Sequence, residues 1–524
     1  MSDPVLKFRL DIMPALVRYF STMKRIIAST VLVVLLIVSL FAGEGTIRNV
    51  KVSESAILTQ AEIDVIVSEC VAEYDGLDVL RAVVDRINAL YLEKGYPNAK
   101  AYIPEQTVED GTAVVELIEG RIGEVTVEGN RYTSDRYILK SLALESGEIL
   151  NLSVLETRLL TFNRWNSGVR LTSTLNPGKG GSGTTDIAIA VTENYPNGIY
   201  ATFDNSASEA TGGFRAGVHF VMNSLTGSRD KLLFGTYLNL HSRSFYADYS
   251  IPAFGADASD EVRFGIRGSF SGSEAAVGSA SQFDISTKSI SASAYMSLIL
   301  CRTPSGNTTA TLSGNFGSTE TSALDTLLTE EIIASGRLGI SSSSKLSDNV
   351  MLSYSAGITA GTPFKGATGI DGGYFKLDAG ISLRHTFGNV GYLLYSLSGQ
   401  YMPFNDLVPN QEQMYVGGSG TVRGYSEGCA WGKDGFVTGL ELHFMLPGSA
   451  RSSVFGFVDH AGVFPYTGDG ENFLVGIGGG LEMYIGDFFQ LKASLSSALT
   501  EITQNDNPYG FKYSIAATIS TPNI

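Results

Sequence analysis

The chain has 524 residues, 44% hydrophobic and only 17% charged, with a formal net charge of −16. That length exceeds one ordinary domain. The charged fraction falls below the rough quarter typical of soluble globular proteins, so a soluble surface of this size is hard to cover and a lipid-facing one is not. The acidic balance and the lack of any sustained Lys/Arg run exclude nucleic acid as the partner.

In chain order, Lys24 and Arg25 precede an apolar stretch from Ile26 to Ala42, and Gly43 follows. This is the pattern of a secretory signal peptide over residues 1–43, with Met23 as a second candidate start. A retained membrane helix is the competing reading, because about 17 residues is just long enough to span. No other window approaches the roughly 20 apolar residues of a spanning helix.

Residues 46–120 read as a small α+β module. A strand over Ile47–Val52 and a helix over Thr59–Val67 come first. Leu80, Val83, Val84, Ile87 and Leu90 then mark one face of a second helix, which Gly95-Tyr96-Pro97 stops. Strands over Ala99–Ile103 and Thr112–Ile118 complete a β-α-α-β-β order. Residues 121–195 repeat it: strand Ile122–Val127, helices Tyr137–Leu144 and Leu152–Arg164, strands Val169–Leu175 and Thr185–Val191. Two modules of one topology in tandem form an internal repeat.

From residue 196 to 524 the texture changes to short alternating stretches separated by Gly, Ser, Asn and Asp. In Phe511–Ser520, Phe511, Tyr513, Ile515, Ala517 and Ile519 oppose Lys512, Ser514, Thr518 and Ser520. Phe488–Ser496 and Tyr392–Tyr401 alternate in the same way. One face is apolar and ends in aromatic residues, and the other carries Ser, Gln and Lys. That is the pattern of a transmembrane β-barrel with an aromatic girdle. About 16 candidate strands fit this length, at roughly 10 residues per strand plus uneven loops.

No catalytic constellation stands out, and the expectation is not an enzyme, with no cofactor and no metal. There is no phosphate-binding Gly-x-x-x-x-Gly-Lys loop. Gly476-Ile477-Gly478-Gly479-Gly480 lies in a strand with no helix after it, so small residues in barrel packing explain it better than a dinucleotide site. His219, His241, His385, His443 and His460 fall on separate predicted strands without ligand spacing. Cys70, Cys301 and Cys429 are too few and scattered for a disulfide framework.

One motif differs. Val422-Arg423-Gly424-Tyr425 sits among Gly417, Gly418, Gly420 and Gly424, a backbone able to fold tightly into a confined space. Arginine pairs bidentately with carboxylate. Asp459 lies on a strand over Ser453–Val463, where it shares a face with Phe455 and Phe457; a carboxylate facing lipid is costly, so that face is the lumen. The residues alone leave two readings level: an Arg423–Asp459 pair, or a solvated loop arginine and an unrelated aspartate.

The chain resembles the outer-membrane transporters of two-partner secretion, the haemolysin secretion/activation family, within the superfamily of barrel-assembly insertases. The resemblance rests on five pieces in order. Lys94-Gly95-Tyr96-Pro97 through Glu119-Gly120-Arg121-Ile122 is similar to the family's first polypeptide-transport-associated (POTRA) domain. Leu155-Glu156 through Leu175-Asn176-Pro177-Gly178 is similar to the second. Asn223 to Leu232 resembles an early barrel turn, Val422 to Tyr425 the signature of the long sixth extracellular loop (here around 403–435), and Phe457 to Asp459 the lumenal aspartate motif.

The resemblance implies a periplasmic pair of POTRA domains followed by a barrel of about 16 strands. It implies a sixth loop folded back into the lumen so that Arg423 meets Asp459. It also implies a function: capture of an unfolded, β-helical exoprotein and its passage through the outer membrane without ATP, by a monomer embedded in outer-membrane lipid. An outer-membrane insertase or assembly factor is the alternative. Three departures from the family pattern are visible. Few residues separate the signal peptide from the first module, where relatives often carry a plug helix. Ala461 stands where glycine is usual, with Gly462 next. The C-terminus reads Thr521-Pro522-Asn523-Ile524 instead of ending in an aromatic residue.

Overall fold

The computed structural model describes residues 47–108, 110–181, 183–253, 262–276, 282–365, 372–404, 408–449, 451–464, 472–501 and 510–521. The predicted signal peptide and the last three residues lie outside them.

The first module runs β1 (Asn49–Val52), α1 (Gln60–Glu73), α2 (Leu77–Glu93), β2 (Lys100–Tyr102) and β3 (Thr112–Ile118). Its sheet has the order β1-β3-β2, with β1 parallel and β2 antiparallel to the central β3. The start of α1 is fixed by a capping box in which Thr59 and Glu62 satisfy each other's backbone N–H groups. This helix continues to Glu73, beyond the predicted Val67, because Cys70 one turn later is fully buried in the same core. On α2 the buried stripe is Val79, Leu80, Val83, Ile87 and Tyr91; Val84 and Leu90 lie at its margin.

The second module repeats the order with β4 (Arg121–Glu128), α3 (Asp135–Leu142), α4 (Leu152–Trp165), β5 (Val169–Pro177) and β6 (Thr184–Glu193), in a sheet ordered β4-β6-β5. Ser134 caps α3, and Leu155 and Phe162 are the buried residues of α4.

Sixteen strands follow in one closed barrel. They are β7 (Asn197–Asp204), β8 (Arg215–Asn223), β9 (Lys231–Leu238), β10 (Ser242–Pro252), β11 (Val262–Glu274), β12 (Ser286–Arg302), β13 (Gly306–Ala323), β14 (Thr326–Ser347), β15 (Val350–Lys365), β16 (Tyr374–Phe387) and β17 (Gly391–Tyr401). After a small hairpin, β18 (Met414–Val416) and β19 (Ala430–Gly432), the wall resumes with β20 (Asp434–Met445), β21 (Ser453–Phe464), β22 (Asn472–Ile485), β23 (Phe489–Ala498) and β24 (Phe511–Ser520), which pairs back to β7. Closure gives every strand two neighbours, as backbone in hydrocarbon requires. Outward positions carry residues such as Ile266, Ile290, Leu312, Leu338 and Leu495, all exposed on the isolated chain and thus available to lipid.

The four longest strands run far beyond the expected ~10 residues: β12 to β15 are 17, 18, 22 and 16 residues long. The β13–β14 hairpin turns through Leu324 and Asp325, both with positive φ (49° and 60°), the geometry of a two-residue hairpin turn. His219, His385, His443 and His460 lie on β8, β16, β20 and β21, whereas His241 lies in the β9–β10 turn and not on a strand. The three cysteines are free.

The β8–β9 turn docks on the second module. Ser224, with φ 67°, donates to the Tyr132 carbonyl at 2.7 Å, and Ser134 donates its N–H to the Gly227 carbonyl at 2.8 Å. Arg229 reaches the Ser167 carbonyl at 2.7 Å, and Asp230 closes the turn by accepting from Thr226 at 2.9 Å. Trp165 Nε1 adds a bond to the Thr303 carbonyl at 2.9 Å. The motif Asn223–Leu232 therefore ties barrel to module.

In the first module the Lys94 ammonium and the Thr59 backbone and hydroxyl hold the Glu62 carboxyl down to about 2. A carboxyl with a depressed folded-state pKa stabilises fully above its unfolded value, and that contribution is lost as pH falls toward the folded value. The protection factors of the α1 amides, corrected for intrinsic exchange, are therefore expected to fall between about pH 4.5 and pH 2, and Glu62→Gln is expected to remove most of that pH dependence.

Candidate functional site: the lumenal arginine of the sixth loop

The loop between β17 and β20 enters the barrel as the β18–β19 hairpin, paired from Met414↔Gly432 to Val416↔Ala430. Its tip is shaped by glycines. Gly417, Gly418 and Gly424 hold φ of 104°, 96° and 99°, values that side chains rarely tolerate. Thr421 closes the turn on Gly417, accepting its N–H at 2.8 Å, and Ser419 donates to Glu427 from both N–H and hydroxyl. Val416, Val422, Tyr425 and Ala430 then pack against wall residues Ala461, Val463, Leu474 and Ala498. Ala461 is fully buried in that cluster.

Arg423 is brought to Asp459 and to Phe457. Its Nε and Nη2 donate to the two oxygens of Asp459 at 2.6 and 2.7 Å, a bidentate fork, and its backbone N–H adds a third bond at 3.1 Å. The guanidinium carbon lies 3.4 Å from the ring centroid of Phe457. Strand phase explains the arrangement. Phe455, Phe457 and Asp459 are 4%, 3% and 2% exposed, while Val454 and Val458 in the opposite phase are 43% and 44% exposed. Opposite Asp459, Gly439 leaves room for the carboxylate; a Cβ there would lie 3.3 Å from its Oδ1.

The sequence reading missed a second carboxylate. Glu441 on β20 accepts from Arg423 Nη1 at 2.5 Å, meets Nε2 of His443 at 2.9 Å and lies 3.6 Å from Lys492 Nζ. It alternates with outward Leu440 and Leu442, so the phase argument used for Asp459 finds it too. Arg423, Glu441, Asp459 and Lys492 form a balanced set of two cations and two anions, which lowers the cost of holding charge away from water. His443 is sandwiched between Tyr392 (4.2 Å) and Phe455 (4.8 Å) and bonds Ser453 at 3.0 Å. Among the described residues no group of His, Cys, Asp and Glu is arranged to hold a metal.

Tyr425 does a separate task. Its hydroxyl accepts from the N–H groups of Val475 (3.2 Å) and Thr500 (3.1 Å) and donates to the Thr500 carbonyl (2.8 Å). It thereby bridges β22 and the end of β23. The glycine run on β22 also acquires a role. A Cβ at Gly476 would overlap the Arg423 carbonyl oxygen, and one at Gly478 or Gly480 would lie 2.6 or 2.5 Å from the Phe457 or Phe455 ring. These glycines are the floor on which the loop backbone and both rings lie.

Sequence comparison decides the family. Residues 183–483, more than half of the chain, match the family described as haemolysin secretion/activation protein ShlB/FhaC/HecB. The chain belongs to that family. Residues 46–120 match the POTRA domain, ShlB-type. It is 24% identical over 187 residues to the outer membrane transporter CdiB of Dickeya dadantii, which covers 36% of this chain and 32% of that protein. It is 27% identical over 173 residues to the heme/hemopexin transporter protein HuxB of Haemophilus influenzae, covering 33% and 30%. The matched region thus spans about a third of these curated relatives' length. Solved structures show the same fold across the chain: CdiB from Escherichia coli (TM-score 0.70, 19% identity, 91% of this chain and 90% of that one) and CdiB from Acinetobacter baumannii (0.65, 17%, 91% and 90%). BamA from Haemophilus ducreyi lacking POTRA domains 1–3 follows at 0.56, with 15% identity, 90% of this chain and 100% of that one. As a member of this family the protein is an outer-membrane barrel with POTRA domains in the periplasm.

The close approach at Gly476 yields a direct test. Gly476→Val is expected to expel the loop backbone from the wall while leaving the barrel closed. Limited trypsin digestion of the membrane-embedded protein should then cut after Arg423, which is protected when its guanidinium is buried; continued protection would contradict the contact.

Proposed function

We propose that the protein is an outer-membrane pore that captures an unfolded secreted exoprotein in the periplasm through its POTRA domains and passes it to the cell surface. The observation that carries this reading is the sixth loop held inside the lumen by Arg423 between Asp459 and Glu441. A passive diffusion channel has no use for a polar, releasable strut in its bore, nor for two periplasmic modules ahead of the barrel.

In this reading Arg423, Gly424, Tyr425 and Val422 form the moving half of a lock, and Asp459 and Phe457 the fixed half. The exoprotein, β-helical in build, enters as an extended chain. The edge strands β1 and β2 offer backbone groups for strand addition, the mode by which extended peptides join a sheet. No nucleotide motif is present, so net outward movement comes from folding of the exported chain outside. The pore acts as a monomer, since one chain closes the sheet, and no catalytic step is assigned to it. The transporter names of the curated relatives point the same way.

Truncating one member of a buried ion pair typically costs about 3–5 kcal/mol, because the partner is left charged and unpaired. Arg423→Ala is therefore expected to reduce export of the protein's secreted partner to background, while the barrel keeps its heat-modifiable mobility in gels. Wild-type export by that variant would refute the lock. Deletion of residues 46–195 is expected to leave ion conductance in planar bilayers and no export; undiminished export would remove the case for capture by the modules.

A further inference from the structure

Strand β24 closes the barrel against β7, and the seam is short. Ala516–Ser520 pair with Tyr200–Asp204, five residues on each strand, whereas the neighbouring β7–β8 and β8–β9 ladders run over eight. Toward the extracellular side β24 continues past β7. There the Asn205 side chain stands in for a strand, donating to the Tyr513 carbonyl at 2.9 Å and accepting the Ile515 N–H at 2.8 Å.

Above Asn205 three side chains converge from three elements. Lys512 of β24 donates to Glu209 in the β7–β8 loop and to Ser426 in the tip of the sixth loop, both at 2.6 Å. Ser426 also reaches Glu209 at 3.2 Å. Ser426 lies three positions after Arg423, so the same loop tip touches the β20–β21 wall and the seam. Beside the three lies a cavity of about 430 Å³, lined by Asn205, Phe214, Glu427 and Lys512 among others. Polar bonds, not close packing, hold the tip on this side.

We propose that Glu209, Ser426 and Lys512 form a second anchor of the sixth loop that makes its docking and the closure of the β7–β24 seam one event. Docked, the tip holds Lys512 between two acceptors and clamps β24 to the β7–β8 loop. Withdrawn, it takes Ser426 away and leaves Lys512 only the Glu209 carboxylate, whose side chain is already 68% exposed, and such exposed pairs hold little. Among the described residues the seam then rests on its five-residue ladder, Asn205 and the bonds between Ile199 and Thr521. This coupling rests on the export reading only for its use, since export is what calls for loop withdrawal.

Hydrogen exchange of the Phe511–Ser520 amides, measured on the purified full chain in lipid nanodiscs without any cargo, reads the seam directly. Arg423→Ala and Lys512→Ala are each expected to speed that exchange by about fivefold, the scale of one exposed or half-exposed ion pair. The double variant should fall well short of the product of the two, as for residues acting in one network. Lys512→Arg, and Glu209→Lys combined with Lys512→Glu, should restore protection. About 1 M salt should narrow the gap between wild type and Lys512→Ala, which screening predicts and a packing role does not. Ser426→Ala and Glu209→Gln, both outside the strands, supply the same readout if Lys512 variants fail to assemble. Unchanged seam exchange in Arg423→Ala, or independent effects that simply multiply, would overturn the coupling. A wild-type protein that exports nothing would sink the export reading and leave these exchange results standing.

Discussion

A guanidinium removed from bulk water has to be met by carboxylates, and in this barrel that requirement organises an entire side of the lumen. Asp459 and Glu441 lie on adjacent strands at inward positions, so they present two acceptors to one point in the bore. Arg423 reaches that point only if the loop comes inside, and the loop comes inside only where the wall has no side chains to oppose it. Gly476 provides that clearance for the loop backbone, and Gly439 and Gly478 make room for the Asp459 carboxylate and the Phe457 ring that Arg423 meets. Tyr425 then fixes the tip against β22 and β23. Each feature is intelligible from the demand of the buried charge.

Much of the architecture was legible in the residues because each element buries a single face. The α2 stripe and the alternation of β24 are local signals, and local signals survive in a sequence. The four long strands are not legible for a physical reason: lipid thickness sets only the spanning part of a strand, and β13 and β14 continue as a hairpin where no lipid limit applies. The turn that holds His241 has no glycine or proline to announce it, so the sequence does not set it apart from the strands on either side.

The site was legible in part. Asp459 stood out as a carboxylate in the inward phase of an apolar strand. Glu441 has the same signature between Leu440 and Leu442, yet its partner sits in a loop whose path depends on tertiary contacts. The glycines of β22 were read as packing residues. What they pack against, the Arg423 carbonyl and two phenylalanine rings, is a long-range fact that no spacing encodes. The seam contacts of Lys512 are of the same kind: residues separated by 303 positions in the chain, Glu209 and Lys512, meet because the barrel closes.

The glycine floor of β22 has a geometric consequence. In an ordinary barrel the bore at a given height follows from the number of strands and the side chains they point inward. Here the wall at Gly476, Gly478 and Gly480 contributes no side chains, and the loop backbone with the Phe455 and Phe457 rings fills the place they vacate. The bore at this level is therefore set in part by a removable lining, the loop backbone over Gly476. With the loop displaced, the opening gains both the volume of the loop and the recess beneath it, so its width is a property of loop position and not of the strand wall alone.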